Sequence, residues 1–260
     1  MSEKQPTSVM LLWPERVLAL AQLGQVAVHA HSASALVMGV DGTFGFRSAE
    51  ADAGWLEAEC VWISAGCSHA LDCGPTRMAV LYMAPGRMDH DRFCARHGIS
   101  PLAPWSLFEG GPGLKSALQA AWEGDLREEA LDGWVASVAG DAPIPHMLCG
   151  EQRVERAAQL IRGRIDAGWT LDMLASDLNM SPSRLRHLFR ASAGISAQQF
   201  KIWFRMHAVS THIAQGYNLT EAAHHAGFVD SAHLSRSFRR LFGLPPSRVL
   251  GRGTRMICRP

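Results

Sequence analysis

The chain has 260 residues, 47% of them hydrophobic, and its 25 basic residues nearly balance 24 acidic ones, so it can bury the core of one or two domains. Charged residues make up only 19%, which argues against wholesale disorder, and the lack of an apolar run of about 18 residues argues against a membrane-spanning helix. No secretion signal is evident after Met1, and six cysteines are too sparse for a disulfide scaffold, so we expect reduced thiols and a cytoplasmic location.

The near-zero net charge conceals two halves of opposite sign. Residues 1–150 carry 9 Lys and Arg against 17 Asp and Glu, a balance of −8, whereas residues 151–260 carry 16 against 7, a balance of +9. A basic half indicates a polyanionic partner. The alternative is mutual attraction between two domains with no outside partner.

The N-terminal region has the pattern of short β-strands. Apolar runs alternate with glycines and other turn residues, and the runs lie at 26–28, 36–38, 60–63 and 78–82. This pattern predicts an antiparallel sandwich or barrel. Apolar residues then recur at helical spacing between Leu114 and Val138, and the breaker-rich stretch 140–145 is a candidate linker.

Beyond residue 150 the pattern predicts short helices arranged in two similar copies. Three positions recur at a constant offset of 49 residues, namely Leu185, Phe189 and Gly194 in the first copy and Leu234, Phe238 and Gly243 in the second. Each copy consists of a short helix, a tight turn and a second helix with a basic outer face, which is the helix-turn-helix pattern. Ser181 and Pro182 give the second helix of the first copy a strong start signal.

A predicted helix connects the two copies. Residues 196–199 form a capping box, and the helix is expected to continue to about Gln215, which gives roughly 20 residues and about 30 Å. Major-groove segments on one side of B-DNA lie about 34 Å apart. Small helical hairpins with arginine-rich faces also occur in proteins that never bind DNA. Two copies, a spacer of this length and a basic half together favour double-stranded DNA as the partner.

The helical half resembles the DNA-binding domain of the AraC/XylS family of transcription regulators. The resemblance covers Leu171 to Leu250, and its motifs are residues 180–190, 223–228 and 238–246. It extends to the N-terminal half, which is similar to a small cupin-type sensing domain at His29-Ala30-His31, Gly42 and residues 64–69.

This resemblance implies an α+β fold with a cupin-like antiparallel β-barrel, a helical linker and an all-α domain with two helix-turn-helix motifs. The expected bounds are 10–100 for the cupin-like sensing domain, 101–150 for a helical dimerisation or linker segment, with its helices over 113–139, and 151–253 for the DNA-binding domain. RNA polymerase and a homodimer are further partners that the resemblance implies.

The resemblance also implies which side chains contact DNA. Bases would be read by Ser183, Arg186 and His187 in the first motif and by Ala232, His233 and Arg236 in the second. Ala232 offers only a methyl group, so the second motif is expected to depend more on phosphate contacts. With neighbouring outward-facing residues, the predicted DNA-binding set is Ser183, Arg184, Arg186, His187, Arg190, Ala232, His233, Ser235, Arg236 and Arg239.

Three histidines of the N-terminal half form a candidate metal site. His29 and His31 share one face of a predicted strand, and His69 on another strand could complete a site for a divalent metal such as zinc. No carboxylate follows three to five residues after His31, where metal-dependent cupin enzymes usually carry one, which argues against an oxidase or dioxygenase. The alternative is a structural or small-ligand role for these histidines.

Three cysteines offer a weaker candidate for a thiophilic metal. Because their spacing contains no paired Cys-x-x-Cys, we expect buried thiols at Cys60, Cys67 and Cys73.

These observations lead to one principal hypothesis and two alternatives. The principal one is a sequence-specific transcription regulator, an activator by resemblance and not an enzyme, whose cupin-like domain senses a small molecule or a metal. The first alternative is a metal-dependent cupin enzyme with a DNA-tethering tail. The second is a constitutive DNA binder whose barrel serves only in oligomerisation.

Overall fold

The protein is described by a computed structural model that covers residues 8–49, 54–84, 88–100, 102–108, 112–123, 133, 135, 138, 152–165, 169–251 and 253–259. Within these ranges the chain forms eleven β-strands and eight α-helices, which confirms the predicted α+β class. The candidate linker at 140–145 lies outside the described residues.

The strands belong mainly to the N-terminal half. They are β1 (Ser8–Leu12), β2 (Arg16–Gln22), β3 (Gln25–Ala30), β4 (Ser34–Gly39), β5 (Phe44–Ser48), β6 (Leu56–Ala58), β7 (Cys60–Ile63), β8 (Ser68–Asp72), β9 (Arg77–Met83), β10 (Trp105–Leu107) and β11 (Thr254–Cys258). Strands β4 and β7 are buried along their whole length, in keeping with their continuous apolar sequences.

The strands form two sheets that pack face to face. One sheet has seven strands in the order β10-β7-β4-β9-β2-β1-β11, and the other has four in the order β3-β8-β5-β6. Val37 and Val80 of the first sheet share a core with Phe46 and Leu71 of the second. In the described part of the chain no ladder joins the two sheets into a closed barrel. The free edge of β1 is instead occupied by β11, which pairs with it in parallel.

A bulge in β3 determines which of its side chains face the core. The register with β8 shifts between Val26 and His29, and both of these residues are buried although they lie three positions apart. Strict alternation would have placed Val26 and Val28 on the same face. Val28 is instead 54% exposed, so the bulge turns His29 inward.

The helices follow the sequence signals closely in the C-terminal half. They are α1 (Met88–His97), α2 (Pro112–Glu123), α3 (Gln152–Arg162), α4 (Leu171–Asp177), α5 (Pro182–Ala193), α6 (Ala197–Ala214), α7 (Leu219–His225) and α8 (Ser231–Phe242). The Ser181 hydroxyl accepts a hydrogen bond from Arg184 N at 3.3 Å, which caps α5. Ser196 and Gln199 form the predicted capping box of α6.

The first two helices cover the outer face of the seven-stranded sheet. Trp62 of β7 stacks on Phe93 of α1 with ring centroids 4.1 Å apart, and Leu118 and Trp122 of α2 join the same cluster. The predicted dimerisation helices therefore pack at least partly within their own chain. A homodimer stays a prediction.

The C-terminal half is joined to the sheets by a shared core. Trp203 and Met206 of α6 and Phe238 and Leu241 of α8 belong to the hydrophobic cluster that fills the space between the sheets. The C-terminal strand β11 adds a hydrogen bond between the Ser8 and Thr254 hydroxyls at 2.6 Å. The helical half therefore packs directly on the N-terminal half.

Candidate functional site

The first helix-turn-helix unit consists of α4 and α5. Its turn contains Asn179, whose φ is 52°. Among the described residues, it is the one non-glycine residue with a positive φ. Leu174, Leu185 and Phe189 hold the two helices together in a core that excludes water. The opposite face of α5 is exposed, and it carries the predicted contact residues Ser183, Arg184, Arg186, His187 and Arg190.

The second unit consists of α7 and α8, with Gly227 (φ 79°) in the turn where the first unit has Asn179. The side chain of Asp230 caps α8, and Ala223, Phe228 and Leu234 form its core. Of the predicted contact residues, Ala232, Arg236 and Arg239 are exposed, whereas His233 and Ser235 are half-buried. His233 lies edge-on to Phe228, with ring centroids 5.3 Å apart.

Helix α6 separates the two units and is anchored in both. It has 18 residues, which corresponds to about 27 Å. Phe200 near its start packs into the core of the first unit, while Met206 and Val209 pack into the shared core that includes the second. Within the described residues, the arginines of α5 and α8 form no ion pair with a carboxylate, so their charges are available to an external anion. The geometry suits a polyanion that runs past both units.

The three predicted histidines come together in the N-terminal half. His29 on β3 pairs directly with His69 on β8, and His31 follows the end of β3. All three are at least 95% buried, and one ligand nitrogen from each lies within 4.8 Å of the others. The structure thus brings together the residues of the candidate metal site. Metal binding itself stays a prediction.

Hydrogen bonds orient two of these imidazoles. The Nδ1–H of His29 donates to Ala27 O at 2.9 Å, and the Nδ1–H of His69 donates to Cys67 O at 3.0 Å. Nε2 of His29 and Nε2 of His31 lie 2.8 Å apart. Burial, with repulsion from His69 as a second cause, lowers the pKa of His29 to about 3, and burial lowers that of His69 to about 4. Burial also holds the pKa of His31 well below its usual range. The cluster is therefore neutral at pH 7.

A cavity of about 60 Å³ lies between the sheets and the helical half. Its lining includes His29, His31 and Tyr82 on the side of the sheets and Trp203, Phe238 and Phe242 on the side of α6 and α8. Most of the other lining residues are aliphatic, and none of the described lining residues is Lys or Arg. The cavity is thus mainly apolar and is walled by both halves of the chain.

The C-terminal end of α8 is in close contact with β3. A Cβ atom placed on Gly243 would lie 2.7 Å from Ala27 O and from Val26 Cγ1, and 2.8 Å from His29 Nδ1. Distances this short mean that any side chain at Gly243, which also has φ of 68°, would force its neighbours to shift. The second recognition helix and the strand that carries His29 are therefore packed backbone against backbone.

Two polar contacts link α6 and α3 to the β1–β2 hairpin. The Nε2–H of His207 donates to Trp13 O at 2.7 Å, and Arg162 lies 3.7 Å from Glu15. Arg162 also lies over the rings of Phe200 and Phe204. These contacts hold the hairpin against the helical half.

The three predicted cysteines are buried, and among the described residues they form no disulfide and belong to no metal-ligand cluster. Burial raises the pKa of Cys73 to about 12, with the charge of Asp72 as a second cause. Burial raises the pKa of Cys60 as well.

Sequence reasoning did not identify the residues on the helical side of the cavity. Trp203 has no functional signal in the sequence, and Gly243 is evident there only as a repeated glycine. The sequence does contain one local signal at this place, since the pair Phe242-Gly243 stands at the end of a predicted basic helix. What that pair contacts could not be read from the sequence, because its partner β3 lies more than 200 residues away.

Comparison with known proteins identifies the helical half. A family model described as a helix-turn-helix domain matches residues 174–252. The HTH-type transcriptional regulator GbdR of Pseudomonas aeruginosa is 28% identical over 106 residues, which are 40% of this chain and 29% of that protein. A Streptomyces lividans protein named as an AraC-like transcription regulator is 25% identical over 118 residues, which are 45% of this chain and 35% of that protein. The chain therefore covers well under half of either relative.

Solved structures share both halves of the fold. ToxT from Vibrio cholerae O395 is 13% identical with a TM-score of 0.58, over 91% of this chain and 97% of that chain. Wild-type ToxT with bound unsaturated fatty acid, from V. cholerae strain SCE256, is 13% identical with a TM-score of 0.55, over 91% of this chain and 95% of that chain. Such identities establish likeness of fold alone.

The fold and the two repeated units define a helix-turn-helix protein with an N-terminal β domain. Within that class, residues 174–252 match the helix-turn-helix family model, and the chain is similar to regulators of the AraC type, as its motifs indicated. None of the helices in the described ranges is long and apolar enough to cross a membrane.

Proposed function

We propose that the chain is a transcription regulator that binds double-stranded DNA through α5 and α8 and responds to a small effector held between its two halves. The observation that carries this proposal is the cavity itself, because one wall is formed by the sheets and the other by α6 together with the second recognition helix. An effector in this position contacts both halves at once.

DNA binding is supported by the exposed faces of the two recognition helices. Arg186 and His187 on α5 and Arg236 on α8 are exposed and can reach base edges. Arg184, Arg190 and Arg239 flank them and can supply phosphate contacts, which fix the register of a protein on the duplex. Since α6 spans about 27 Å between the units, the two helices can enter successive major-groove segments of one face.

Effector binding is supported by the size and chemistry of the cavity. An engineered apolar cavity of about 150 Å³ takes up benzene. A cavity of about 60 Å³ must therefore widen before it can accept an organic effector, and widening displaces α6 or α8 from the sheets. The effector would favour the conformation that accommodates it, which is a shift of population between two arrangements of the DNA-binding units.

The apolar lining favours a small, uncharged and largely apolar effector. ToxT, which shares the fold, has been solved with an unsaturated fatty acid. In this chain, no Lys or Arg among the described lining residues could pair with a carboxylate in the cavity. A neutral apolar compound therefore fits the cavity better than a bare carboxylate does.

Several finer features belong to the same proposal. The relatives named above are transcription regulators, which supports a role without catalysis. Activation of transcription through RNA polymerase, a homodimer and a location in the cytoplasm are proposed on the resemblance to the family. A constitutive DNA binder is the competing hypothesis, and it predicts equal DNA affinity with and without cell extract.

The direct test is selection of random duplex DNA by the full-length chain at about 150 mM salt. We expect a motif with two elements roughly 10 bp apart. Arg186→Ala and Arg236→Ala should each change the motif, whereas Arg47→Ala, which removes a positive charge from the sheet domain, should leave it unchanged. Failure to enrich any sequence, with or without cell extract as an effector source, would contradict the proposal.

A further inference from the structure

We propose that His29, His31 and His69 bind one divalent transition metal ion of the zinc class, with an exchangeable fourth ligand on the side of the cavity. The metal site depends only on the geometry of the three imidazoles. Its effect on DNA binding, argued last, rests on the proposed function.

The spacing of the three imidazoles suits a tetrahedral ion. Zinc binds histidine nitrogen at about 2.0–2.1 Å, so tetrahedral ligand nitrogens lie about 3.4 Å apart. In the cluster, the two Nε2 atoms of His29 and His31 are 2.8 Å apart, and all ligand nitrogens lie within 4.8 Å of one another. The ring centroids are 4.3–4.7 Å apart. Small side-chain rotations are enough to bring the three nitrogens to the required spacing.

Backbone carbonyls set the tautomers that a metal requires. A carbonyl oxygen can only accept, so Nδ1 of His29 and Nδ1 of His69 must carry the proton in their bonds to Ala27 and Cys67. Each neutral ring therefore has its lone pair on Nε2, inside the cluster. A second ring nitrogen donating to a backbone carbonyl is the usual arrangement of histidine metal ligands.

The cluster also contains buried nitrogens that no described protein group satisfies. Within the described ranges, His69 Nε2 and His31 Nδ1 have no hydrogen-bond partner, and their residues are 0% and 2% exposed. Buried polar groups of this kind normally have a partner, whether in the protein, in water or in an ion. A bound ion would satisfy His69 Nε2. It would also replace the contact between His29 and His31, with His31 moving its proton to Nδ1 and coordinating through Nε2.

The ligand set indicates which ions fit. Imidazole nitrogen suits zinc, copper and nickel, and within the described residues the cluster contains no carboxylate. Three histidines leave one position of a tetrahedral ion for an exchangeable ligand. His29 and His31 line the cavity, so this position faces it. The ion would supply positive charge to a cavity wall whose described residues include no Lys or Arg.

The metal site is in contact with the second recognition helix. A Cβ on Gly243 would lie 2.8 Å from His29 Nδ1, and the Phe242 ring lies 6.1 Å from that of His31. Coordination must move His31, because its present nitrogen contact with His29 is shorter than tetrahedral ligands allow. That movement changes the surface on which Phe242 packs.

The experiment is a metal titration of the full-length chain in the absence of DNA, after removal of metals with a chelator. Zn²⁺ is followed by calorimetry and Co²⁺ by the visible absorption of a tetrahedral complex. We expect one equivalent of each ion to bind. His69→Gln should weaken binding by at least about tenfold. His225→Gln is the matched control, since His225 is exposed and pairs with His212, with ring centroids 5.3 Å apart.

Three results would overturn the proposal: no stoichiometric binding by the wild-type chain, binding that His69→Gln leaves unchanged, or binding that His225→Gln abolishes. His31→Gln provides a second variant should circular dichroism show that His69→Gln is unfolded. DNA binding is then measured separately with and without Zn²⁺. If the chain binds metal but selects no DNA, the proposed function is refuted and the metal site is not. If it selects DNA but does not bind metal, the metal site is refuted and the proposed function is not.

Discussion

The packing of α8 on β3 can be tested at Gly243 with a control inside the same chain. Gly243 ends α8 with φ of 68°, and a Cβ there would lie 2.7 Å from a backbone oxygen of β3. Gly194 ends α5 in nearly the same conformation, with φ of 74°, but a Cβ there would meet no atom of the described residues within 4 Å. Substitution by alanine therefore has the same backbone effect at both positions and a packing effect at only one.

The expected losses of stability follow from these two effects. A residue other than glycine in the left-handed region costs about 1–2 kcal/mol, so Gly194→Ala should lower the free energy of unfolding by that amount. Overpacking adds roughly 1–3 kcal/mol, so Gly243→Ala should lower it by about 2–5 kcal/mol. Urea denaturation followed by circular dichroism measures both variants. Equal losses of stability in the two variants would show that α8 does not pack on β3 in solution. The inferred coupling between the cavity and the second recognition helix would then be wrong.

Three further predictions concern DNA reading, acid sensitivity and helix capping. Arg186→Ala should weaken specific binding by about 1–3 kcal/mol and relax the preference at one base pair, and an unchanged motif would remove Arg186 from base reading. The buried histidines should destabilise the fold in acid, because the unfolded chain takes up protons near pH 6.5 whereas His69 does so only near pH 4 and His29 near pH 3. The contribution of each of these histidines to the free energy of unfolding is thus fully present above pH 6.5. Below that pH it should fall by up to about 1.4 kcal/mol per pH unit. Urea unfolding from pH 7.5 to 4.5 measures this slope, and His69→Gln should reduce it; equal slopes would contradict the burial of His69. Ser181→Ala removes the cap of α5 and should lower the free energy of unfolding by about 1 kcal/mol in the same assay. The control is Ser176→Ala, on the exposed face of α4. If both variants lose equally little stability, the cap is not formed.

The helical half could be predicted from the sequence because its signals are local. Ser181 and Ser196 each act on a backbone N–H three residues away, and Gly194 and Gly243 each end the helix that precedes them. The turn of the first unit uses Asn179 where the second uses Gly227, and both adopt positive φ. Such features need only a few neighbouring residues, so a single sequence contains them.

The sandwich could be predicted only in outline, because its details depend on distant pairing. Strand β11 lies next to β1 although about 245 residues separate their pairs, and nothing in the sequence 254–258 specifies a parallel partner. That pairing occupies the edge of β1 and leaves an open sandwich in place of the predicted barrel. Sequence patterns indicate where strands lie in the chain, but they rarely indicate which position each strand takes in a sheet.

The structure brings the three predicted histidines together, but the local geometry that does so could not be predicted. His29 and His31 were expected on one face because they lie two residues apart. That face points into the core only because the bulge after Val26 rotates the end of β3. Without the bulge, the apolar pattern of Val26 and Val28 would have turned His29 outward. The placement of the site therefore required the pairing of β3 with β8, which a single sequence does not contain.

Under the proposed function, α8 would let the two halves communicate without blocking DNA. Its inner residues, Leu234, Phe238 and Leu241, pack into the core shared with the sheets, whereas Arg236 and Arg239 on its outer face are exposed. The N-terminal half therefore contacts α8 on its inner face and at its C-terminal end. An effector that moves this contact would change the orientation of α8 relative to α5, since α5 is anchored in a separate core through Phe189 and Phe200. Regulation of this kind would change the relative orientation of two recognition helices that are exposed throughout. It should therefore alter the preferred spacing of the two DNA elements and the affinity for them, and it should not uncover a buried DNA-binding surface.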